Sequence, residues 1–338
     1  MGKIAFEEAF SAGEGIPDYV NPENFLDAGS TEPDYVSPDI SQRLADLGAG
    51  RLAEMDAAGI DYLLLSLTAP GIQAITDPKR AVTLARLAND KACAAVAAHP
   101  TRFGGMAALP MQDPAAAVTE LERCVNELGF PAVMLNGFTN IGDVETGWYY
   151  DHERYLPFWK RVEELGVPVY IHPRDPLPGA SAAYEEHPEL FGAVWTFTVE
   201  GATHALRLMT SGLFDKFPKL TIILGHLGET LPANMWRIEH RAAKMGKLVK
   251  AQKPLRHYLQ NNFYVTTSGN FHTPTLNATM DELGSDRVLF SADYPYESMR
   301  EAADWFDNAA INENDRAKIG YLNARRLFNL PEKIGKQA

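Results

Sequence analysis

Eight short apolar runs recur along the chain, at 3–9, 62–67, 103–109, 132–135, 167–172, 220–226, 263–267 and 288–291, and almost none alternates with polar residues. A strand with water on one face shows a period of two, so runs that are apolar throughout predict strands covered on both faces. The segments between them supply the cover. Residues 41–58 carry Leu44, Leu47, Leu52 and Met55 at helical spacing and stop near Gly59. Residues 79–98, 114–128, 154–165, 200–213, 273–283, 301–310 and 315–328 read likewise, and Pro232 opens a further helix. Asp113 before Pro114 predicts an N-cap followed by the first helical residue. Eight such βα units in 338 residues predict a (β/α)8 TIM barrel, a single domain over 1–338, with a long loop after strand 1 and an insertion after strand 5. An open doubly wound sheet would need a glycine-rich phosphate turn after its first strand, where this chain has Glu7-Glu8-Ala9-Phe10.

In a barrel of this kind the C-terminal strand ends form the active face. The runs finish on Glu7, Ser66, Asn136, His172, His226, Thr267 or Ser268, and Asp293. Taken singly, a strand-end histidine is more often a hydrogen-bonded structural residue, and Asp293 before Tyr294-Pro295 could simply start a turn. Taken together, Glu7, His172 and Asp293 make a ligand set for one divalent cation with open coordination positions, the catalytic pattern of metal site. His226 and Glu229, three residues apart across an expected helical turn, read as an acid/base whose tautomer the carboxylate fixes. Asn136, Arg174 and Arg237 are candidates for anchoring an anionic substrate, arginine being suited to carboxylates by its planar fork. His152, His187, His204 and His240 read as surface or structural residues.

A net charge of -13 disfavours a nucleic-acid surface, leaving small molecules as the expected partners. No apolar run approaches the roughly 18 residues of a membrane span. Cys93 and Cys124 lack metal-type spacing and fit a reducing, cytoplasmic setting. The stretch 11–38, rich in Gly, Pro and acid, is long for a connection and reads as a lid.

At EEAF (7–10), LSLTAPGIQ (65–73), YIHPRDPLP (170–178), HALRLMTSGLFDKFPKL (204–220), ILGHLGE (223–229), TTSGNF (266–271) and LFSADYPYE (289–297) the sequence resembles the decarboxylase branch of the amidohydrolase superfamily. That branch holds the 2,3-dihydroxybenzoate, γ-resorcylate (2,6-dihydroxybenzoate), 5-carboxyvanillate and aminocarboxymuconate semialdehyde decarboxylases. Residues 172–178 and 195–197 look most like the γ-resorcylate type, and EEAF more like the dihydroxybenzoate and carboxyvanillate types. The resemblance implies Glu7, His172 and Asp293 as metal ligands, His226 beside the metal and paired with Glu229, and a homodimer or homotetramer. It also implies non-oxidative decarboxylation of an ortho-hydroxybenzoate, a small aromatic carboxylate, to CO2 and a phenol. Most hydrolases of the superfamily have His-x-His on strand one, and many a carboxylated lysine on strand four; here Glu7-Glu8-Ala9 and Asn136 leave a second metal nothing to hold it. One nitrogen and two carboxylate ligands favour a harder ion, Mn²⁺ or Mg²⁺, over Zn²⁺.

Direct loss of CO2 from a benzoate would leave an aryl carbanion whose charge no orbital can delocalise, so the carboxyl-bearing carbon has to be protonated first. An ortho hydroxyl chelated beside the carboxylate would fix the ring for that transfer, with Asp293 and His226 as rival proton donors. Two other readings stand beside this one. The first is a mononuclear metal hydrolase of a lactone or amide in which His226 activates water, and the second is a catalytically inactive binding barrel.

Overall fold

The computed structural model describes residues 2–13, 15–18 and 38–336. Eight parallel strands lie side by side in chain order: β1 (Lys3–Phe10), β2 (Ile60–Leu67), β3 (Phe103–Ala108), β4 (Ala132–Asn136), β7 (Val169–His172), β8 (Ile222–Leu224), β9 (Phe263–Thr266) and β10 (Val288–Leu289). Helices alternate with them, which is the expected (β/α)8 arrangement. Asp113 caps its helix as predicted, accepting from the amides of Ala115 at 3.0 Å and Ala116 at 3.1 Å.

The uniform apolarity of the strands has a simple cause. Ile4, Phe6, Tyr62, Leu64, Met106, Met134, Tyr170, Ile223, Tyr264 and Leu289 fill the barrel interior. The alternate residues, such as Ala5, Leu63, Leu65, Val133, Val169, Ile222 and Val265, pack in the layer shared with the helices. Period two is therefore present, but both faces are apolar and the alternation leaves no trace in polarity. At the end where the strands begin, the helix Asn323–Phe328 caps the interior. The Phe328 ring stacks on Phe6 with centroids 4.6 Å apart, and Asn323 Nδ2 donates to the carbonyls of Ser285 and Val288, both at 2.8 Å.

Side chains close the ring between β10 and β1. Ser291 Oγ accepts from the amides of Phe6 at 3.3 Å and Glu7 at 2.9 Å, and donates to Glu8 Oε1 at 3.0 Å. The Glu8 carboxylate also accepts from the amides of Ala292 at 3.0 Å and Tyr294 at 3.2 Å, and Ala9 N donates to Tyr294 O at 2.7 Å. Burial pushes the pKa of Glu8 up to about 7, with these donors pulling the other way. The last strand is shorter than the expected 288–291 because its donors are diverted. Phe290 N goes to Ile319 O at 3.0 Å, and Ser291 N goes to Thr267 Oγ1 at 3.0 Å.

Other departures from the sequence expectation are local. The helix expected over 41–58 is two, Pro38–Ala45 and Ala49–Ala58, parted where Gly48 N donates to Asp46 Oδ1 at 2.7 Å. The helix expected over 200–213 starts earlier, as Thr196–Thr210, and the closing segment widens to a π turn at Lys318–Leu322. A hairpin of β5 (Thr139–Ile141) and β6 (Asp143–Trp148) and a helix Leu255–Asn262 were not foreseen; the hairpin's second strand is exposed and polar, without an apolar signal. The insertion after the fifth barrel strand consists of short 3₁₀ turns between Pro178 and Val194. Of the expected lid, 14 and 19–37 lie outside the described residues, while Asp18 bridges to Pro70 beyond the end of β2.

Replacing Phe328 by alanine leaves a void under the barrel, and is expected to cost about 3–5 kcal/mol. Urea unfolding should show the lower midpoint, with kcat retained because the void lies at the end away from the polar strand termini.

Candidate metal centre

In register, Ala5 of β1 faces Leu63 of β2 and Glu8 faces Leu65, so three steps on β1 match two on β2. That is a bulge across Phe6-Glu7. In a regular strand these neighbours would face opposite sides. Here Phe6 joins the interior cluster and Glu7 meets the interior Tyr170, while Glu8 turns to the seam. Three further inner groups follow by period two from interior side chains, His172 from Tyr170, and Thr266 and Ser268 from Tyr264, whereas Asp293 lies beyond the end of β10.

Glu7 divides its two oxygens between two tasks. Oε2 accepts from the hydroxyls of Tyr170 and Ser268, with Thr266 Oγ1 at 3.5 Å. Oε1 is buried and has no hydrogen-bond partner, and it faces His172 Nε2 at 3.2 Å and His226 Nε2 at 3.6 Å. A buried acceptor left without a donor costs about 1–3 kcal/mol, which a cation at that point would recover. Gly225 makes the room: a Cβ there would lie 2.9 Å from Tyr170 Oη and 3.1 Å from Glu7 Oε2.

His172 Nδ1 lies 2.6 Å from Pro173 O, so it donates there and leaves Nε2 as the acceptor facing Glu7. Burial pushes its pKa down, toward the neutral form that binds metals. His226 Nδ1 sits 2.5 Å from Glu229 Oε1, and Glu229 Oε2 accepts from Thr198 Oγ1 at 2.8 Å. Burial alone would lower the His226 pKa, but Glu229 and Glu7 hold it well above the ordinary value. Its Nε2 looks toward Asp293 Oδ2 at 3.7 Å. Glu7, His172, His226 and Asp293 each bring one ligand atom within 4.8 Å of the others. The His172 nitrogen with carboxylate oxygens of Glu7 and Asp293 suits a divalent cation, and His226 stands beside them.

The turn joining His226 to Glu229 is not the helical turn expected. His226, Leu227, Gly228, Glu229 and Thr230 all have positive φ, at 53°, 59°, 88°, 53° and 65°, and Asp293 has φ 78°. Left-handed backbone at residues bearing Cβ is disfavoured by about 1–3 kcal/mol each and collects at functional sites.

The three substrate-anchoring candidates are not among the four clustered residues. Asn136 is buried at the end of β4, its Nδ2 donating to Leu67 O at 3.1 Å and Thr68 O at 3.3 Å, so it ties strand ends together. Arg174 donates to Phe138 O at 3.2 Å with its guanidinium 4.3 Å over the Phe138 ring. Arg237 is exposed on the helix Leu231–Ala242, and no hydrogen bond or ion pair of the cluster involves it among the described residues. Of the alternatives Thr267 and Ser268, Ser268 reaches Glu7, whereas Thr267 donates to Ser291 O at 2.9 Å. Tyr170 and Thr266 escaped the sequence reading. Their signal was spacing, since Tyr170 stands two residues before His172 and therefore shares its face.

Residues 38–330 match the amidohydrolase family model. The chain is 50% identical over 332 residues to γ-resorcylate decarboxylase of Rhizobium sp., covering 98% of this chain and 99% of that one. The crystal structure of 2,6-dihydroxybenzoate decarboxylase complexed with 2,6-dihydroxybenzoate matches with TM-score 0.90 at 49% identity, over 98% of this chain and 100% of the other. A dihydroxybenzoic acid decarboxylase from Polaromonas sp., solved with bound manganese and the inhibitor 2-nitroresorcinol, matches with TM-score 0.89 at 49% identity, over 97% of each chain.

Elemental analysis after dialysis against Mn²⁺ is expected to return about one ion per chain, since among the described residues no second ligand set stands beside the first. Glu7→Gln and His172→Ala should empty the site, and His226→Asn should retain the ion. Tyr170→Phe removes one of the two hydroxyls that hold Glu7 Oε2 and should weaken binding about tenfold.

Proposed function

The chain belongs to the amidohydrolase family as a metal-dependent carboxy-lyase of ortho-hydroxybenzoates, and we propose that 2,6-dihydroxybenzoate is the acid it turns over, giving CO2 and 1,3-dihydroxybenzene. What supports the choice of substrate is the match along the whole chain to 2,6-dihydroxybenzoate decarboxylases, together with a cluster of two carboxylates and two imidazoles on the active face. Glu7, His172 and Asp293 would hold a divalent cation, Mn²⁺ being the ion in the Polaromonas relative, which would supply Lewis-acid chemistry to the bound acid.

The chain's own groups then handle the proton. His226, whose pKa Glu229 and Glu7 raise against the lowering effect of burial, faces Asp293 across 3.7 Å. Its proton passes to the carboxyl-bearing ring carbon directly or through Asp293. That carbon becomes tetrahedral, the bond to the carboxyl carbon breaks, and its electron pair restores the aromatic ring as CO2 leaves. No electrons are gained or lost overall. Glu229, fixed by Thr198, keeps the imidazole in the orientation that points Nε2 at the reacting centre.

A homodimer or homotetramer belongs to the same proposal, supported by three exposed large apolar residues within one segment of the chain, Trp236, Met245 and Leu248. So does a cytoplasmic location, which free cysteines at 93 and 124 fit. No helix among the described residues is long and apolar enough to cross a membrane.

CO2 release across hydroxybenzoates tests the assignment. 2,6-Dihydroxybenzoate should be turned over, while 4-hydroxybenzoate, which cannot present an oxygen beside its carboxylate, should react at least about 100-fold more slowly because positioning is lost. Equal rates for the two acids would rule out an ortho requirement. Turnover of lactones without CO2 release would instead establish a hydrolase.

A further inference from the structure

Glu8 is the sequence neighbour of Glu7 but points away from the cluster, fully buried at the seam between β10 and β1. Its two oxygens take the backbone amides on either side of Asp293: Oε1 accepts from Ala292 N at 3.0 Å and Oε2 from Tyr294 N at 3.2 Å. Alternate amides converge on one anion where the backbone between them bends back into a nest. Asp293 does this, with φ 78°. Residues bearing Cβ avoid that region, so a contact from elsewhere has to hold them there.

The Tyr294 side of the clamp is itself braced. Ala9 N donates to Tyr294 O at 2.7 Å, and the Tyr294 ring lies under the guanidinium groups of Arg43 at 4.6 Å and Arg51 at 4.8 Å. Arg51 in turn donates to Ala9 O at 2.7 Å, locking the β1 segment that carries Glu8. With its flanking amides bound on one side, Asp293 presents its carboxylate on the other, among Glu7, His172 and His226.

We propose that Glu8 is the positioning residue for Asp293: its carboxylate holds the Ala292–Tyr294 backbone in the left-handed bend that brings the Asp293 carboxylate to the metal and the reacting carbon. The bulge in β1 thus gives two successive carboxylates complementary tasks, Glu7 facing the cation and Glu8 setting the angle of the carboxylate opposite. The inference rests on the role given above to Asp293.

Two variants separate this from a seam-only role. Glu8→Gln keeps the shape but replaces one acceptor by an NH2 group, and Glu8→Asp keeps the charge but draws it back by one methylene. Lys3→Met is the stability control, because Lys3 Nζ binds Asp307 at 2.8 Å at the far end of the same strand. The measurements are Mn²⁺ affinity and the electron paramagnetic resonance spectrum of bound Mn²⁺ without substrate, then kcat and KM for 2,6-dihydroxybenzoate. Both Glu8 variants should bind Mn²⁺ about 10- to 100-fold more weakly with an altered spectrum, and lose kcat by a similar factor while KM stays within about threefold. Lys3→Met should lower the melting temperature and leave the other readings alone. A folded Glu8 variant with native Mn²⁺ affinity, spectrum and kcat overturns the proposal. If Glu8→Gln does not fold, Glu8→Asp decides; if neither folds, Glu8 is a seam residue alone and the proposal falls. Wild-type protein that binds Mn²⁺ but releases no CO2 would overturn the substrate assignment instead, and the Mn²⁺ readings of the variants would still decide this one.

Discussion

One extra residue in β1 governs the placement of both acidic side chains on that strand. Without the bulge between Ala5 and Glu8, Glu7 would follow Phe6 onto the opposite face and enter the helix layer. With it, Glu7 lies inside the barrel, where taking a carboxylate out of water costs several kcal/mol unless partners compensate. Hydroxyls from β7 and from the end of β9 supply the compensation on one oxygen, and the other is left to the imidazoles and a cation. The centre is thus assembled around a carboxylate that the apolar barrel would otherwise reject.

The turn after β8 shows a second way of placing side chains. Gly225 follows the inward parity of Ile223 but must stay bare, because any Cβ would press on the Tyr170 hydroxyl and Glu7. The next five residues run left-handed. That bend lets His226 turn toward the cluster although it is out of step with the strand, and brings Glu229 onto its far nitrogen. Gly201 on the neighbouring helix leaves space for the Glu229 side chain, a Cβ there falling 3.0 Å from Glu229 Cγ.

Much of this was legible in the sequence, because a histidine or aspartate ending an apolar run stands out against its surroundings. Glu7, His172, His226 and Asp293 were visible for that reason, and eight doubly covered strands implied the barrel that brings them together. Tyr170 was hidden because its ring belongs to the core and only its hydroxyl belongs to the site. The roles of Glu7 and Glu8 differ through a register shift, which residue types do not encode. Arg237 was singled out only because a planar guanidinium suits an anion, and it stands exposed on the helix Leu231–Ala242.

The seam has a consequence for how such a chain is made. The Glu8–Ser291 contact joins residues 283 apart, so at ordinary synthesis rates β1 waits on the order of 15–60 s for its second neighbour. During that interval it can pair with β2 on one side only and offers an open edge on the other, the kind of edge that recruits strands from other nascent chains. Two adjacent carboxylates make that edge a poor partner, since like charges brought together across a new ladder repel. A strand edge that carries two acids in succession is thus less open to such pairing than an uncharged one of the same length.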